Sequence, residues 1–303
     1  MEKTKHILII DDEKVQAEAL KTKLEQYYKD AVISYASEEE EINEAIVGRF
    51  YNLVILDIRM DNYKKSGIDY AYNIIENNPF SKIIFVSKFL PEYIDLINPI
   101  MATGRIICFS EKKEYDLWLE ELVPYIDAYY GDNGNSDEVN SALIDAYAKA
   151  KNEENSYKKG IMFERFIALL FSSIGFSKIN KRVVDQSKNE VDLLIRNESK
   201  DIYFSGFGQY LMVECKNHPS TNIGKNDFIV FKSKIDHSNG LCKLGFIFTT
   251  SSMTSTAYAE ALRDSKELTK IIFIDNIKME RLLRAQDILE ELKNIIDNQV
   301  KDN

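Results

Sequence analysis

The chain has 303 residues, of which 45% are hydrophobic and 29% are charged, which suits two globular domains and excludes a mainly disordered or collagen-like chain. Its net charge of −10 is uneven, because residues 1–131 hold 15 basic and 24 acidic residues and the remainder hold 24 and 25. The acidic first part disfavours nucleic acid and membranes, whereas the near-neutral second part allows a local basic face.

No apolar run approaches the roughly 20 residues that span a bilayer, and the first residues, MEKTKHILIIDDE, do not form a signal peptide. The three cysteines lack the spacing of a zinc site or a disulfide framework. We therefore expect a cytoplasmic protein without a membrane partner.

The first 130 residues alternate short apolar runs with amphipathic stretches. Apolar residues at helical spacing lie between these runs and in a last stretch at 115–129. Strands separated by helices predict a parallel sheet with helices on both faces, and hence one α/β domain over 1–130. The runs that predict its strands are 6–10, 31–36, 53–57, 82–87 and 105–109.

The segment 131–157 differs from both of its flanks. It begins with the turn-forming GDNGNSD (131–137) and continues as a polar helical pattern at 138–154. This composition predicts a linker that contains a polar helix.

A second α/β domain is predicted over 158–303. An apolar helix runs from Gly160 to about Gly175, and a long amphipathic helix over 278–296 closes the chain. Helical patterns also lie at 227–235 and 254–263. Two of the strand-like runs are close enough to form a hairpin, which predicts a mixed sheet. The strand-like runs are 181–184, 190–196, 210–216, 244–250 and 270–275.

Polar side chains follow the strands of the first domain. Asp11 and Asp12 follow the first strand, and Asp57 ends the third. The carboxyl ends of parallel strands line one crevice, where three carboxylates repel one another unless a cation, preferably Mg²⁺, neutralises them. Ser87 and Lys112 end or follow the fourth and fifth strands, and they could bind phosphoryl oxygens.

Residues 4–130 resemble the receiver domain of two-component response regulators, through DDE (11–13), DIRM (57–60) and Gly67. The resemblance implies a flavodoxin-like fold of five parallel strands. It also implies that Asp57 accepts a phosphoryl group from a sensor histidine kinase or a phosphotransfer protein. The implied Mg²⁺ ligands are Asp11, Asp12, Asp57 and the backbone carbonyl of Arg59.

The same resemblance implies three switch residues. Ser87 would be the switch hydroxyl, Lys112 would pair with the phosphoryl group, and Phe109 would be the aromatic side chain that reorients on activation. Glu111 competes with Lys112 for its position, because the alignment needs a shift of one residue.

The second domain carries Asp192 on one strand of the hairpin and the motif ECK (214–216) on the next strand. Strand alternation places Glu214 and Lys216 on one face and Cys215 on the other. Asp192 and Glu214 together suit a divalent cation, which polarises a phosphodiester and lowers the pKa of water. Lys216 could orient that water or neutralise charge in the transition state.

Residues 157–275 resemble the PD-(D/E)xK nuclease superfamily, most closely the Mrr-like restriction endonucleases with their restriction-endonuclease-like fold. The helix motif GIMFE (160–164), the helix end SSIGF (172–176) and the ECK strand carry the likeness. It implies Mg²⁺, with Mn²⁺ as a substitute, and the catalytic residues Asp192, Glu214, Lys216 and Glu164. The implied metal ligands are Asp192, Glu214 and the backbone carbonyl of Cys215.

Each resemblance has departures. Asp61 and Lys113 stand where receivers usually have proline, and Glu190 stands where the nucleases usually have glycine. On the helix after the ECK strand, Lys225, Lys232 and Lys234 are expected to face solvent or to contact a DNA backbone.

Together, the patterns predict a phosphorylation-controlled, Mg²⁺-dependent nuclease that hydrolyses DNA, with defence against foreign DNA as the role that this type of family implies. The alternatives are a DNA-binding module that does not cut, controlled by receiver dimerisation, and a nuclease that acts on RNA. A homodimer is expected, since cutting a duplex generally needs two sites. The expected receiver dimer face comprises Tyr93, Ile94, Ile97, Ile107 and Trp118.

Overall fold

The computed structural model describes most of the chain as two units, Met1–Val139 and Asn140–Asn303. Their division falls inside the segment 131–157 that the sequence predicts to be a linker. Lys113 and part of the GDNGNSD segment lie outside the described residues. The described residues are 5–29, 31–49, 51–78, 80–88, 90–112, 115–131, 135–176, 178–184, 190–198, 201–263 and 269–301.

The first unit alternates strands and helices, as the apolar runs predict. Its strands are β1 (His6–Ile10), β2 (Val32–Ala36), β3 (Leu53–Asp57), β4 (Lys82–Ser87) and β5 (Ile106–Glu111). Its helices are α1 (Lys14–Tyr27), α2 (Glu39–Gly48), α3 (Gly67–Asn77), α4 (Ile94–Met101) and α5 (Tyr115–Gly131).

All strands of the first sheet are parallel, in the order β2-β1-β3-β4-β5. Helices α2, α3 and α4 pack on one face through residues such as Ile42, Ile74 and Ile97. Helices α1 and α5 pack on the other face, through Leu20 and Trp118 among others. Burial of both faces explains why the strands are continuous apolar runs, and the predicted flavodoxin-like fold is confirmed.

Two features of this unit differ from the sequence expectations. The sequence pattern does not predict α4, because this helix has only eight residues with Pro99 among them and is too short to show a clear helical period. The expected dimer face is wrong in part, because Ile97 and Trp118 are each only 3% exposed. Trp118 faces the core and donates from Nε1 to the Ser110 hydroxyl at 3.0 Å.

The second unit has a mixed sheet with helices on both faces. Its strands are β6 (Ile179–Val184), β7 (Glu190–Arg196), β8 (Tyr210–Lys216), β9 (Cys242–Thr249) and β10 (Lys270–Ile274). Its helices are α6 (Asn135–Asn152), which begins before the division, α7 (Ser156–Ser173), α8 (Lys225–Asp236), α9 (Ser255–Arg263), α10 (Asn276–Arg284) and α11 (Ile288–Lys301).

Strand order in the second sheet is β10-β9-β8-β7-β6. Strands β8, β9 and β10 are parallel, and the predicted hairpin makes β7 antiparallel to β8. Aromatic residues of α7 pack on one face, where Phe171 contacts Phe246 and Phe248. Helix α8 packs on the other face through Phe228, Phe231 and Ile235.

The single long helix expected over 278–296 is wrong. The chain becomes extended at Ala285 and starts α11 after Asp287, whose carboxylate accepts the Glu290 N–H at 3.1 Å. An aspartate that caps a new helix competes with continuation of the old one. None of the helices in the described ranges has the length and apolarity needed to cross a membrane.

Helix α6 is anchored within the second unit. Its Tyr147 and Lys151 both donate to the side-chain oxygen of Asn276, at 2.7 and 2.6 Å. Nearer its start, Asn140 donates to the Ala285 carbonyl at 3.0 Å. The polar face that the sequence assigns to a linker thus binds the body of this unit.

Candidate functional site

The first unit brings three predicted carboxylates together at the carboxyl ends of β1 and β3. Carboxylate oxygens of Asp11, Asp12 and Asp57 all lie within 4.8 Å of one another. Asp11 and Asp57 are buried, and their oxygens also accept backbone N–H groups of Glu13 (2.9 Å) and Arg59 (3.1 Å). The cluster offers the hard oxygen donors and the excess of negative charge that suit Mg²⁺.

The ammonium group of Lys112 lies inside this cluster. It donates to Asp11 at 2.7 Å, to Gln16 at 3.1 Å, and to Asp57. Burial raises the pKa of Asp57 to about 6 even though Lys112 opposes the shift. For Lys112, burial disfavours the charge, but the carboxylates of Asp57 and Asp11 outweigh it and raise the pKa.

The remaining receiver residues surround this ion cluster. Ser87 is fully buried, and its carbonyl accepts the Lys112 N–H at 3.0 Å, which ties the ends of β4 and β5 together. Glu111, the competitor for the lysine position, is exposed at the end of β5. Phe109 is half-buried and stacks on Phe85 with ring centroids 5.7 Å apart. Roles for these residues stay predictions.

Two residues at this site are not predicted from the sequence. Gln16, on the first turn of α1, binds Lys112. Asn62, in the loop after β3, donates its backbone N–H to the Asp12 carboxylate at 3.0 Å. Neither belongs to a motif, so only the distance between segments remote in sequence could reveal them.

The second unit brings Asp192 of β7 beside the ECK residues of β8. Leu193 pairs with Val213, and continuing that register by one residue sets Asp192 opposite Glu214. The Asp192 carboxylate accepts the backbone N–H of Cys215 at 2.6 Å. Burial, helped by the charge of Glu214, raises the pKa of Asp192 to about 6. Glu214 is buried and Asp192 is half-buried, and two adjacent carboxylates at low exposure fit a divalent cation.

Glu214 is held by two lysines, one on each oxygen. Lys216 donates to Oε1 and Lys234, in the last turn of α8, donates to Oε2, both at 2.8 Å. Burial opposes the charge of Lys216, but Glu214 and then Asp192 outweigh it and raise its pKa. Lys234 is therefore a residue of the site, whereas the sequence predicts that it faces solvent or contacts a DNA backbone.

Glu164 of α7 has a different partner. Its two oxygens accept from Nε and Nη2 of Arg182, at 3.0 and 3.2 Å. Its charge still contributes to raising the pKa of Asp192. Glu164 therefore acts on Asp192 electrostatically while its oxygens bind a guanidinium.

Asn217, which directly follows the ECK strand, is buried and fully engaged. Its amide donates to the carbonyls of Ala150 at the end of α6 and of Lys159 in α7, at 2.8 and 2.9 Å. Its oxygen accepts the Thr250 hydroxyl at 3.0 Å. The end of β8 is thereby fastened to α6, α7 and the end of β9.

Residues 7–98 match the family model described as response regulator receiver domain, and residues 158–283 match the one described as restriction endonuclease. The chain joins a response regulator receiver domain to a restriction endonuclease domain. The acidic cluster at Asp11, Asp12 and Asp57 lies in the receiver domain. Asp192, Glu214 and Lys216 lie in the endonuclease domain.

Solved receiver structures are similar to part of the chain. A CheY-like receiver domain protein from Methanospirillum hungatei JF-1 is 20% identical, covering 44% of this chain and 100% of its own, with a TM-score of 0.37. A two-component response regulator from Clostridium difficile is 22% identical, covering 43% and 99%, with a TM-score of 0.36. Response regulator TrrA from Thermotoga maritima, solved with Mg²⁺-BeF, is 28% identical, covering 40% and 97%, with a TM-score of 0.32. No curated protein matches the chain.

Proposed function

We propose that this chain is a nuclease that hydrolyses DNA phosphodiester bonds with Mg²⁺, or Mn²⁺ as a substitute, under control of its receiver. The observation that carries the proposal is the convergence of Asp192, Glu214 and Lys216 at the junction of β7 and β8, inside the matched endonuclease domain. Asp192 and Glu214 would hold the cation, with the Cys215 carbonyl as a further ligand.

Each residue has a role that its surroundings support. A divalent cation supplies Lewis-acid polarisation of the phosphodiester and activation of water. Asp192 is held in place by the Cys215 N–H, so its carboxylate is oriented before any cation binds. Lys216 is 29% exposed and can turn from Glu214 towards charge that develops on a phosphate.

For the receiver, we propose phosphorylation at Asp57 by a sensor histidine kinase or a phosphotransfer protein. Mg²⁺ would be held by Asp11, Asp12, Asp57 and the Arg59 carbonyl. Lys112, which already contacts Asp57, would bind the added phosphoryl oxygens together with Ser87.

The control of one domain by the other is supported by α6. Only three residues separate the end of α5 from the start of α6, and the far end of α6 binds Asn217 beside Lys216. A change in the position of α6 would therefore reach the ECK strand directly. We propose that phosphorylation promotes a homodimer and raises duplex cleavage in the cytoplasm, consistent with a role against foreign DNA.

The deciding experiment is digestion of duplex DNA, single-stranded DNA and RNA by the full chain with Mg²⁺, with and without a small phosphodonor. Asp192→Asn and Lys216→Ala are the test variants, and Lys178→Ala, which removes an exposed ion pair with Glu198, is the control. The proposal is supported if the parent and the control cleave DNA and the two test variants do not.

Each other result has a defined meaning. Metal-dependent cleavage of RNA alone would identify RNA as the substrate. Binding of DNA without cutting would favour a DNA-binding module controlled by the receiver. Light scattering in parallel shows whether phosphorylation changes the oligomeric state, and an unchanged mass together with an unchanged rate contradicts the proposed control.

A further inference from the structure

Lys234 is buried more deeply in the endonuclease site than the lysine of the ECK motif. Its side chain is 14% exposed, against 29% for Lys216, and the Glu214 carboxylate that both bind is 8% exposed. The other lysines with described ion pairs on α8 bind residues outside this site, since Lys225 binds Glu260 and Lys232 binds Asp236. Lys234 thus differs from its helix neighbours in environment.

The fold explains why Lys234 reaches the site. Glu214 lies two residues after Met212, which packs against the same apolar cluster as Phe231 and Ile235 of α8. Strand alternation puts Glu214 on that face as well. The last turn of α8 therefore lies over Glu214, and a long lysine side chain spans the remaining distance.

The two lysines balance the two carboxylates of Asp192 and Glu214, which explains how these acidic groups are tolerated at low exposure. A divalent cation on the same carboxylates must take at least one oxygen of Glu214. The oxygen held by the more exposed Lys216 is the easier one to release. The oxygen held by Lys234 stays engaged.

We propose that Lys234 is a positioning residue that keeps Oε2 of Glu214 engaged, so that Glu214 offers the cation Oε1 alone and Lys216 is released towards the substrate. This inference rests on the proposed nuclease function. It assigns a role to a residue outside the D…ExK pattern, and it predicts opposite effects on metal affinity and on cleavage.

The test measures Mn²⁺ affinity by titration calorimetry on the full chain. For the calorimetry all proteins carry Asp11→Asn and Asp12→Asn to disable the receiver cluster, and the remaining sites are identified by their loss in Asp192→Asn. Cleavage is measured on chains with the intact receiver in the presence of a phosphodonor. Removing the ammonium in Lys234→Met takes away a competing positive charge, so Mn²⁺ should bind roughly tenfold tighter. Cleavage at saturating metal should fall roughly 10- to 100-fold, because Glu214 is no longer held in place.

Lys234→Arg keeps the charge and should stay within roughly threefold of the parent in Mn²⁺ affinity. Lys293→Met, at a lysine that is 15% exposed and forms ion pairs with Asp201 and Glu290, should change neither quantity. Lys234→Gln replaces the Met variant if thermal melting shows that the latter is unfolded. Unchanged or weaker Mn²⁺ binding in the neutral variants overturns the proposal, as does unchanged cleavage. If the chain with the intact receiver cuts neither DNA nor RNA in the presence of a phosphodonor, the proposed function fails, whereas the Mn²⁺ titration still decides the role of Lys234.

Discussion

The side-chain amide of Asn217 donates to the Ala150 carbonyl at 2.8 Å, so the residue after Lys216 is bonded to the end of α6. Asn217→Ala removes three hydrogen bonds at a buried position and leaves two carbonyls and a hydroxyl to find other partners. We expect the free energy of unfolding of the second unit to fall by about 2–4 kcal/mol, measured by urea denaturation. Any response of cleavage to a phosphodonor should also shrink.

Asn152→Ala, at the exposed last residue of α6, is the control for this experiment. It should stay within about 0.5 kcal/mol of the parent. If Asn217→Ala weakens stability but leaves the response to the phosphodonor intact, α6 does not carry the signal through Asn217.

Asp192→Asn and Lys216→Ala should abolish cleavage while the fold remains. Because the pKa of Asp192 is raised to about 6 in the folded protein, its ionised form opposes folding at pH 7 by about 3 kcal/mol. An asparagine oxygen can still accept the Cys215 N–H, so Asp192→Asn without metal should be more stable than the parent by about 1–3 kcal/mol. Denaturation and digestion of the same samples check both effects, and a destabilised Asp192→Asn would indicate a structural carboxylate instead.

Sequence patterns predict the sheets better than the contacts between side chains. β7 is predicted at its observed bounds because alternation along a half-buried strand is a local signal. The placement of Lys234 on Glu214 is not local, because it depends on how α8 lies over β8. The pattern does not predict the break before Asp287, because apolar residues at helical spacing continue across it. The carboxylate of Asp287 starts a new helix there in spite of that spacing.

Asp57 should be the one receiver residue that a small phosphodonor or beryllofluoride modifies in the presence of Mg²⁺. Its carboxylate lies next to Lys112, whose ammonium group also binds Asp11 and can neutralise part of the charge of an added phosphoryl group. Intact-mass analysis should detect a phosphoryl adduct on the parent and none on Asp57→Asn. An adduct of equal yield on both proteins would place the modification elsewhere.

The stability of the first unit should depend on His6 in mildly acidic solution. Burial lowers the pKa of His6 to about 4, whereas an unfolded histidine binds its proton near pH 6.5. Between these values the unfolded state binds more protons, so the free energy of unfolding falls as pH decreases, by about 3 kcal/mol in full.

Asp57 works in the opposite direction, because its raised pKa makes the folded state bind a proton as pH falls through about 6. The readout is therefore the difference between the parent and His6→Gln, measured by denaturation from pH 7.5 to 4. That difference should change by about 3 kcal/mol over the range, whatever the offset at pH 7.5. Parallel curves would show that His6 titrates at an ordinary pKa.

Gly67 and Gly160 should respond to alanine in opposite ways. Gly67 opens α3 directly against the phospho-acceptor segment, where a Cβ would lie 1.9 Å from the Asp57 carbonyl oxygen, a backbone atom that cannot swing aside. Gly67→Ala should cost about 2–4 kcal/mol of unfolding free energy and lower the yield of the Asp57 adduct, because the acceptor's backbone must move. For Gly160, inside α7, the described part of the chain places no atom beyond its chain neighbours and its own helix backbone within 4 Å of an added Cβ, so Gly160→Ala should stabilise the protein by about 0.5–1 kcal/mol. Urea denaturation and intact-mass analysis check both variants, and a Gly67→Ala protein with parental stability and full adduct yield would contradict the close packing of α3 on Asp57.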